Sequence, residues 1–227
     1  DDNIASSGET IELSIPLINF GNQTSSNIQA VLISSSDLVT IESSSISYGS
    51  LQANNPVYGN HMITISSSVE QNETLDLRLR INDENQNEWF YEIPLDISGV
   101  LLNATNAGYF QSGSTSSFDI NLSNSGMLIA SEIQGTLSTN SSQIVINDAN
   151  GSWNDLNPGQ SLNSSNGFNI SVSNDIINGS QFILDLLLEN SEGYSRVKSY
   201  TITVGTLSDD DPMGPDRYGY YIYDSGD

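Results

Sequence analysis

The chain has 227 residues and a mass of 24.5 kDa, and its 5 Lys and Arg against 28 Asp and Glu give a formal charge of −23. A surface this acidic repels phosphate backbones and anionic lipid, which argues against nucleic-acid and peripheral membrane partners. The absence of Cys and the single His exclude disulfides, thiolate chemistry and a His-built metal site, and no run approaches the roughly 20 apolar residues of a membrane helix.

In chain order, the first residue is Asp1, and no basic, apolar leader follows it. The sequence therefore reads as a mature form or as a piece of a longer protein. Ile11, Leu13, Ile15 and Leu17 alternate with Glu12, Ser14 and Pro16, the period of a half-buried strand. Asn19-Phe20-Gly21 closes it as a turn, and Asn54-Asn55-Pro56 marks another. Leu75, Leu77, Leu79 and Ile81 alternate again, and Asp83-Glu84-Asn85 is placed at a hairpin tip. Ile93, Leu95 and Ile97 predict a closing strand that runs almost directly into Val100-Leu101-Leu102. No Gly/Ser or Pro tract intervenes, so a stiff connection is expected. Phe118, Ile120 and Leu122 predict one strand, and Tyr200, Ile202 and Val204 predict the last. Turn signals recur at Asn157-Pro158-Gly159 and Glu192-Gly193, and no stretch holds a helical period.

Internal similarity organises these segments. Leu17-Ile18-Asn19-Phe20-Gly21 matches Leu122-Ser123-Asn124-Ser125-Gly126, Ile28 through Leu32 matches Ile133 through Leu137, and Tyr48…Leu51 matches Trp153…Leu156. All three lie at one offset, 105 positions (17 to 122, 28 to 133, 48 to 153). Further on, Ile63 and Ile65 match Ile170 and Val172, and Leu79 and Ile81 match Leu186 and Leu188, at an offset of 107 (63 to 170, 79 to 186). A two-residue insertion accounts for the change. The predicted fold is all-β: two tandem immunoglobulin-like antiparallel β-sandwiches without disulfides, at 1–98 and 99–206. An acidic, Tyr-rich segment, 207–227, follows as a tail or as the start of a further β domain, and Tyr218, Tyr220 and Ile222 alternate as a strand would.

Two parts of the sequence carry a family resemblance. Asp1-Asp2-Asn3…Gly8-Glu9-Thr10-Ile11-Glu12-Leu13, continued by Leu17…Asn19-Phe20-Gly21…Asn27-Ile28, resembles a sandwich module of gingipain-like cysteine peptidases and other type IX-secreted bacterial surface proteins. It is similar to bacterial cell-adhesion-related domains. Asp211-Pro212-Met213-Gly214-Pro215-Asp216 through Asp224 resembles the segment that follows such modules. The resemblance implies non-catalytic accessory modules. Peptidase activity is not implied, because the family's catalytic Cys has no counterpart here.

Calcium is the one cofactor candidate, since hard oxygen ligands clustered on loops suit it. The first carboxylate group is Asp1, Asp2 and Glu9; the second is Asp209, Asp210, Asp211 and Asp216, with Asp224. Plain solvated acids are the alternative reading of both. His61 is expected to be an ordinary surface or strand-edge residue. Trp153 falls on Tyr48 under the repeat and is expected to pack. Trp89, beside Phe90 and Tyr91, is the candidate ligand-binding aromatic. Asn22, Asn72 and Asn169 open glycosylation triplets, which chance explains in a chain this rich in Asn and Ser.

These readings predict no catalytic residues and no enzyme. They predict a structural, spacer or adhesion module of a larger secreted or cell-surface bacterial protein. Its partners would be neighbouring domains or identical subunits, with a surface protein or glycan as further candidates. The alternatives are a subunit of an extracellular filament or surface layer, and a glycan- or protein-binding module.

Overall fold

Alternating apolar and polar side chains put one face of each strand inward, and burying those faces against each other gives a sheet-on-sheet architecture. The computed structural model describes residues 4–106, 108–207 and 219–222. Every described element is a strand, and apart from a few short parallel contacts the strands pair antiparallel. The fold is therefore an all-β antiparallel sandwich architecture without disulfides.

The chain divides into two units. The first holds the residues as far as Leu101 together with Gly126–Leu128 and Glu192–Tyr194, and the second holds Leu102–Ser125, Ile129–Ser191 and the chain from Ser195 onward. In the first unit the strands are β1 (Ala5–Ser6), β2 (Thr10–Ile18), β3 (Ser25–Ser34), β4 (Val39–Ile41), β5 (Ser45–Leu51), β6 (Pro56–Ile65), β7 (Leu77–Asn82), β8 (Glu88–Glu92) and β9 (Ile97–Ser98). One sheet has the order β2-β6-β4 and the other β5-β3-β7-β8, while β1 runs parallel to β9. Ile28 and Leu32 of β3, Leu79 of β7, and Ile63 and Ile65 of β6 meet in one buried cluster, joined by Tyr48 from β5.

In the second unit the strands are β10 (Leu102–Asn106), β11 (Thr115–Phe118), β12 (Ile120–Asn124), β13 (Gln134–Ser138), β14 (Ile144–Asp148), β15 (Asn150–Ser152), β16 (Ser161–Asn163), β17 (Phe168–Val172), β18 (Ser180–Glu189) and β19 (Ser195–Val204). The sheets are β10-β12-β16, β11-β17-β14 and β15-β13-β18-β19. Its core is aromatic: Phe110 meets Phe118 edge-on at 5.1 Å, Phe118 lies 5.8 Å from Phe168, and Phe168 lies 6.1 Å from Trp153.

Three predicted strands differ from those observed, each for a local reason. The strand expected through Ile93, Leu95 and Ile97 is broken: β8 ends at Glu92 and β9 begins at Ile97. Pro94 stands in the gap, and proline has no N–H to give a ladder. Leu75 is buried but precedes β7, because Asp76 takes a left-handed φ of 46°. Phe118 through Leu122 is two strands with Asp119 between them. Opposite the break, the Ser164 hydroxyl accepts from the Ile120 amide at 3.3 Å, and Ser164–Gly167 leave the ladder between β16 and β17.

Candidate functional site

The first unit carries an open groove of about 500 Å³ between β2 and β8, each the edge strand of its sheet. The β7–β8 hairpin sets one wall. At its tip the Asp83 Oδ1 accepts from the Asn85 and Asn87 amides, both at 2.9 Å, and Oδ2 accepts from Asn87 Nδ2 at 2.8 Å. The Asn87 side chain first, and the backbone amides with it, hold the Asp83 carboxyl below its usual range. That turn fixes the register Ile81↔Trp89 and Leu79↔Tyr91. Cross-strand partners share a face, so Trp89 and Tyr91 stand with the core residues Ile81 and Leu79, and Phe90 stands with Arg80 on the other face.

Ile15 and Leu17 of β2 form the opposite wall, only partly covered, and Phe20 beyond the strand is 83% exposed. Trp89 is 42% exposed and Tyr91 59%. Among the described residues Glu92 is the one carboxylate in the lining, and its Oε1 lies 2.7 Å from Arg78 Nε. The walls are thus apolar and aromatic, with a single charge engaged at the rim. Such a surface suits an apolar, ring-bearing or extended ligand and offers no acid–base pair.

The predicted site residues separate. Trp89 lies in this groove. Glu9 does not: its Oε2 accepts from the Ser6 amide at 3.1 Å and closes the turn that leads into β2. Asp1, Asp2, Asp209, Asp210, Asp211, Asp216 and Asp224 lie outside the described residues. Among the described residues no three His, Asp or Glu side chains gather as a metal would require. Of the tail alternation, Tyr218 lies outside the described residues, and within 219–222 only Ile222 takes part in a bridge. Trp153 is 2% exposed and belongs to the core.

His61 is a correction. It was expected at the surface or a strand edge, yet it is fully buried on β6, the central strand of its sheet. It shares the inward phase of Ile63 and Ile65. Its Nδ1 donates to the Ser43 carbonyl at 3.2 Å, which leaves Nε2 as a bare acceptor without a partner. Burial pushes its pKa below the ordinary value, so the ring is neutral.

Sequence reading singled out Trp89, which lines the groove, and did not single out the wall across from it. Ile15 and Leu17 read as ordinary core residues of a strand. Only the pairing of distant segments shows that, among the described residues, β2 has no neighbouring strand on its outer side.

No family model matches the chain, and no curated protein matches it. Among solved structures it is similar to a red sea bream transglutaminase, at 10% identity and a TM-score of 0.46, over 89% of this chain and 30% of that one. The chain thus spans about a third of that enzyme's length or less. It is similar to a protein of unknown function from Porphyromonas gingivalis W83, at 14% identity and a TM-score of 0.27, over 90% and 94%. It is also similar to the YadV chaperone, at 12% identity and a TM-score of 0.31, over 88% and 95%.

Proposed function

We propose that this chain is a pair of copies of one non-catalytic module, acting as a structural or adhesion segment of a larger secreted or cell-surface bacterial protein. One observation carries the duplication. In the first unit the Tyr48 hydroxyl donates to the Ile15 carbonyl at 3.0 Å; in the second, Trp153 Nε1 donates to the Ile120 carbonyl at 3.0 Å. The donor and acceptor of one bond sit 105 positions from those of the other (48 to 153, 15 to 120). A second bond repeats at the same spacing. Asn19 Nδ2 donates to the Leu51 carbonyl, and Asn124 Nδ2 to the Leu156 carbonyl, each at 3.0 Å. The residues that recur between the units are thus spent on tying strands together, which supports a structural role. The acidic, Lys-poor, Asn- and Ser-rich composition supports an extracellular surface.

The test is surface labelling. Antibody raised against the chain is expected to stain intact cells of the natural source or to find the protein in the medium. Staining that appears only after permeabilisation contradicts the reading.

The exposed pair Trp89 and Tyr91 favours a second reading, glycan binding. Sugar titrations that shift the tryptophan emission of the chain, with the shift lost in Trp89→Phe, would establish it. Unchanged emission across a broad sugar panel would remove it.

A further inference from the structure

We propose that the groove of the first unit is the seat of an added β-strand, supplied in the same polypeptide from immediately upstream of Asp1. The inference rests on reading the two units as copies. The second unit shows the seat filled. There β10 lies antiparallel on β12, in the register Leu102↔Asn124, Ala104↔Leu122 and Asn106↔Ile120. Under it Ile120 and Leu122 are fully buried and Asn124 is 1% exposed. The counterparts of Ile120–Asn124 at the spacing of 105 are Ile15–Asn19. In the first unit these residues have β6 on one side and, among the described residues, no strand on the other. Ile15 and Leu17 are only partly covered, and the groove opens along them.

The same spacing carries Leu102–Thr105 of β10 to the four positions directly before Asp1, which identifies the occupant. The strand enters each unit from its N-terminal side. Next comes the short parallel contact that follows it in both units, Phe110 with Val204 and Ala5 with Ile97. Its side chains should alternate as Leu102-Asn103-Ala104-Thr105 do, apolar toward the groove and polar outward.

The backbone of β2 sets the terms of docking. The Ile65 amide donates to the Glu9 carbonyl, which turns the odd-numbered residues of β2 toward β6 and the even-numbered ones outward. Ile18 and Pro16 therefore meet the added strand, where Ser123 and Asn121 meet β10. Ile18 offers both an N–H and a carbonyl. Pro16 offers only a carbonyl, so the docked strand makes one hydrogen bond fewer than β10 does. A proline on this edge also discourages indiscriminate pairing with other chains.

The experiment extends the 227-residue chain by Leu-Asn-Ala-Thr before Asp1 and compares it with the unextended chain and with the out-of-phase extension Asn-Leu-Thr-Ala. The in-phase extension should slow hydrogen exchange of the Ile18 amide by about tenfold or more. It should also shift the Trp89 emission to the blue, read as the difference from Trp89→Phe, and raise the melting temperature by several degrees. The out-of-phase extension should do none of these. An Ile18 amide that exchanges equally fast in all three chains overturns the proposal. A free Leu-Asn-Ala-Thr-Asn peptide that protects Ile18 while the extension does not also overturns it, in favour of a strand from another polypeptide. If Asn19→Ala and Asn124→Ala both destabilise their units while Ile18 stays unprotected, the docking alone fails and the reading of the units as copies stands.

Discussion

Two aromatic side chains of different chemistry perform one task at the residue scale. Tyr48 and Trp153 each fill the space between sheets and end on a strand carbonyl. Burial pushes the Tyr48 phenol up to about 12, so the bond persists across the physiological range. Tyr48→Phe keeps the ring and loses the bond, and should cost about 0.5–1.5 kcal/mol. Trp153→Ala removes the largest buried side chain and should cost about 3–5 kcal/mol. Urea denaturation of each variant checks both values. The recurrence of an aromatic 105 positions on, from Tyr48 to Trp153, made this packing legible in the sequence. The hydrogen bond was not legible, because its acceptor is a backbone atom far away in sequence.

His61 gives a pH prediction at the same scale. Its folded pKa lies below the unfolded value of about 6.5, so the unfolded chain binds more protons as the pH falls. The stability that neutral His61 contributes is full above about 6.5 and is lost as the pH falls through the depressed folded pKa. Wild type should therefore lose more stability than His61→Gln between pH 7.5 and pH 5, measured as the difference between their denaturation midpoints. Equal losses would contradict the assignment. The inward phase of His61 was readable from Ile63 and Ile65; that β6 is the central strand of its sheet was not.

At the scale of elements, alternation announced the strands and special residues cut them. Pro94, Asp76 and Asp119 interrupt runs whose apolar pattern continues across the break. Pattern reports which side chains face the core, while the ladder needs an N–H and an allowed φ at every step; the two diverge at Pro94 and at Asp76. Edge status was not legible at all. Whether β2 has one neighbour or two depends on a strand elsewhere in the chain, and the groove follows from that pairing. The two recurring asparagines test the difference. Asn124→Ala removes a buried side chain and one donor to the Leu156 carbonyl, which keeps the Ala130 amide, and should cost about 1–3 kcal/mol. Asn19→Ala acts on the open counterpart, where water replaces the lost partner, and should cost about 0.5–1.5 kcal/mol. Denaturation followed by hydrogen exchange resolves the two units, and an equal cost at both sites would contradict the open edge.

For the whole molecule, the sequence carries a strong architectural message and a weak chemical one. Its alternation and repeat spacing point to sandwiches, whereas 28 acids and abundant serines make any catalytic pairing uninformative. The structure adds a groove with apolar walls and a matching, filled position in the second unit. Together they support the proposal of a strand upstream of Asp1, and with it the proposal of a longer parent protein. The intact mass of the protein in its natural source tests this most directly. The account predicts a mass well above 24.5 kDa, with sequence preceding Asp1. A mass of 24.5 kDa, with Asp1 at the mature terminus, would contradict it.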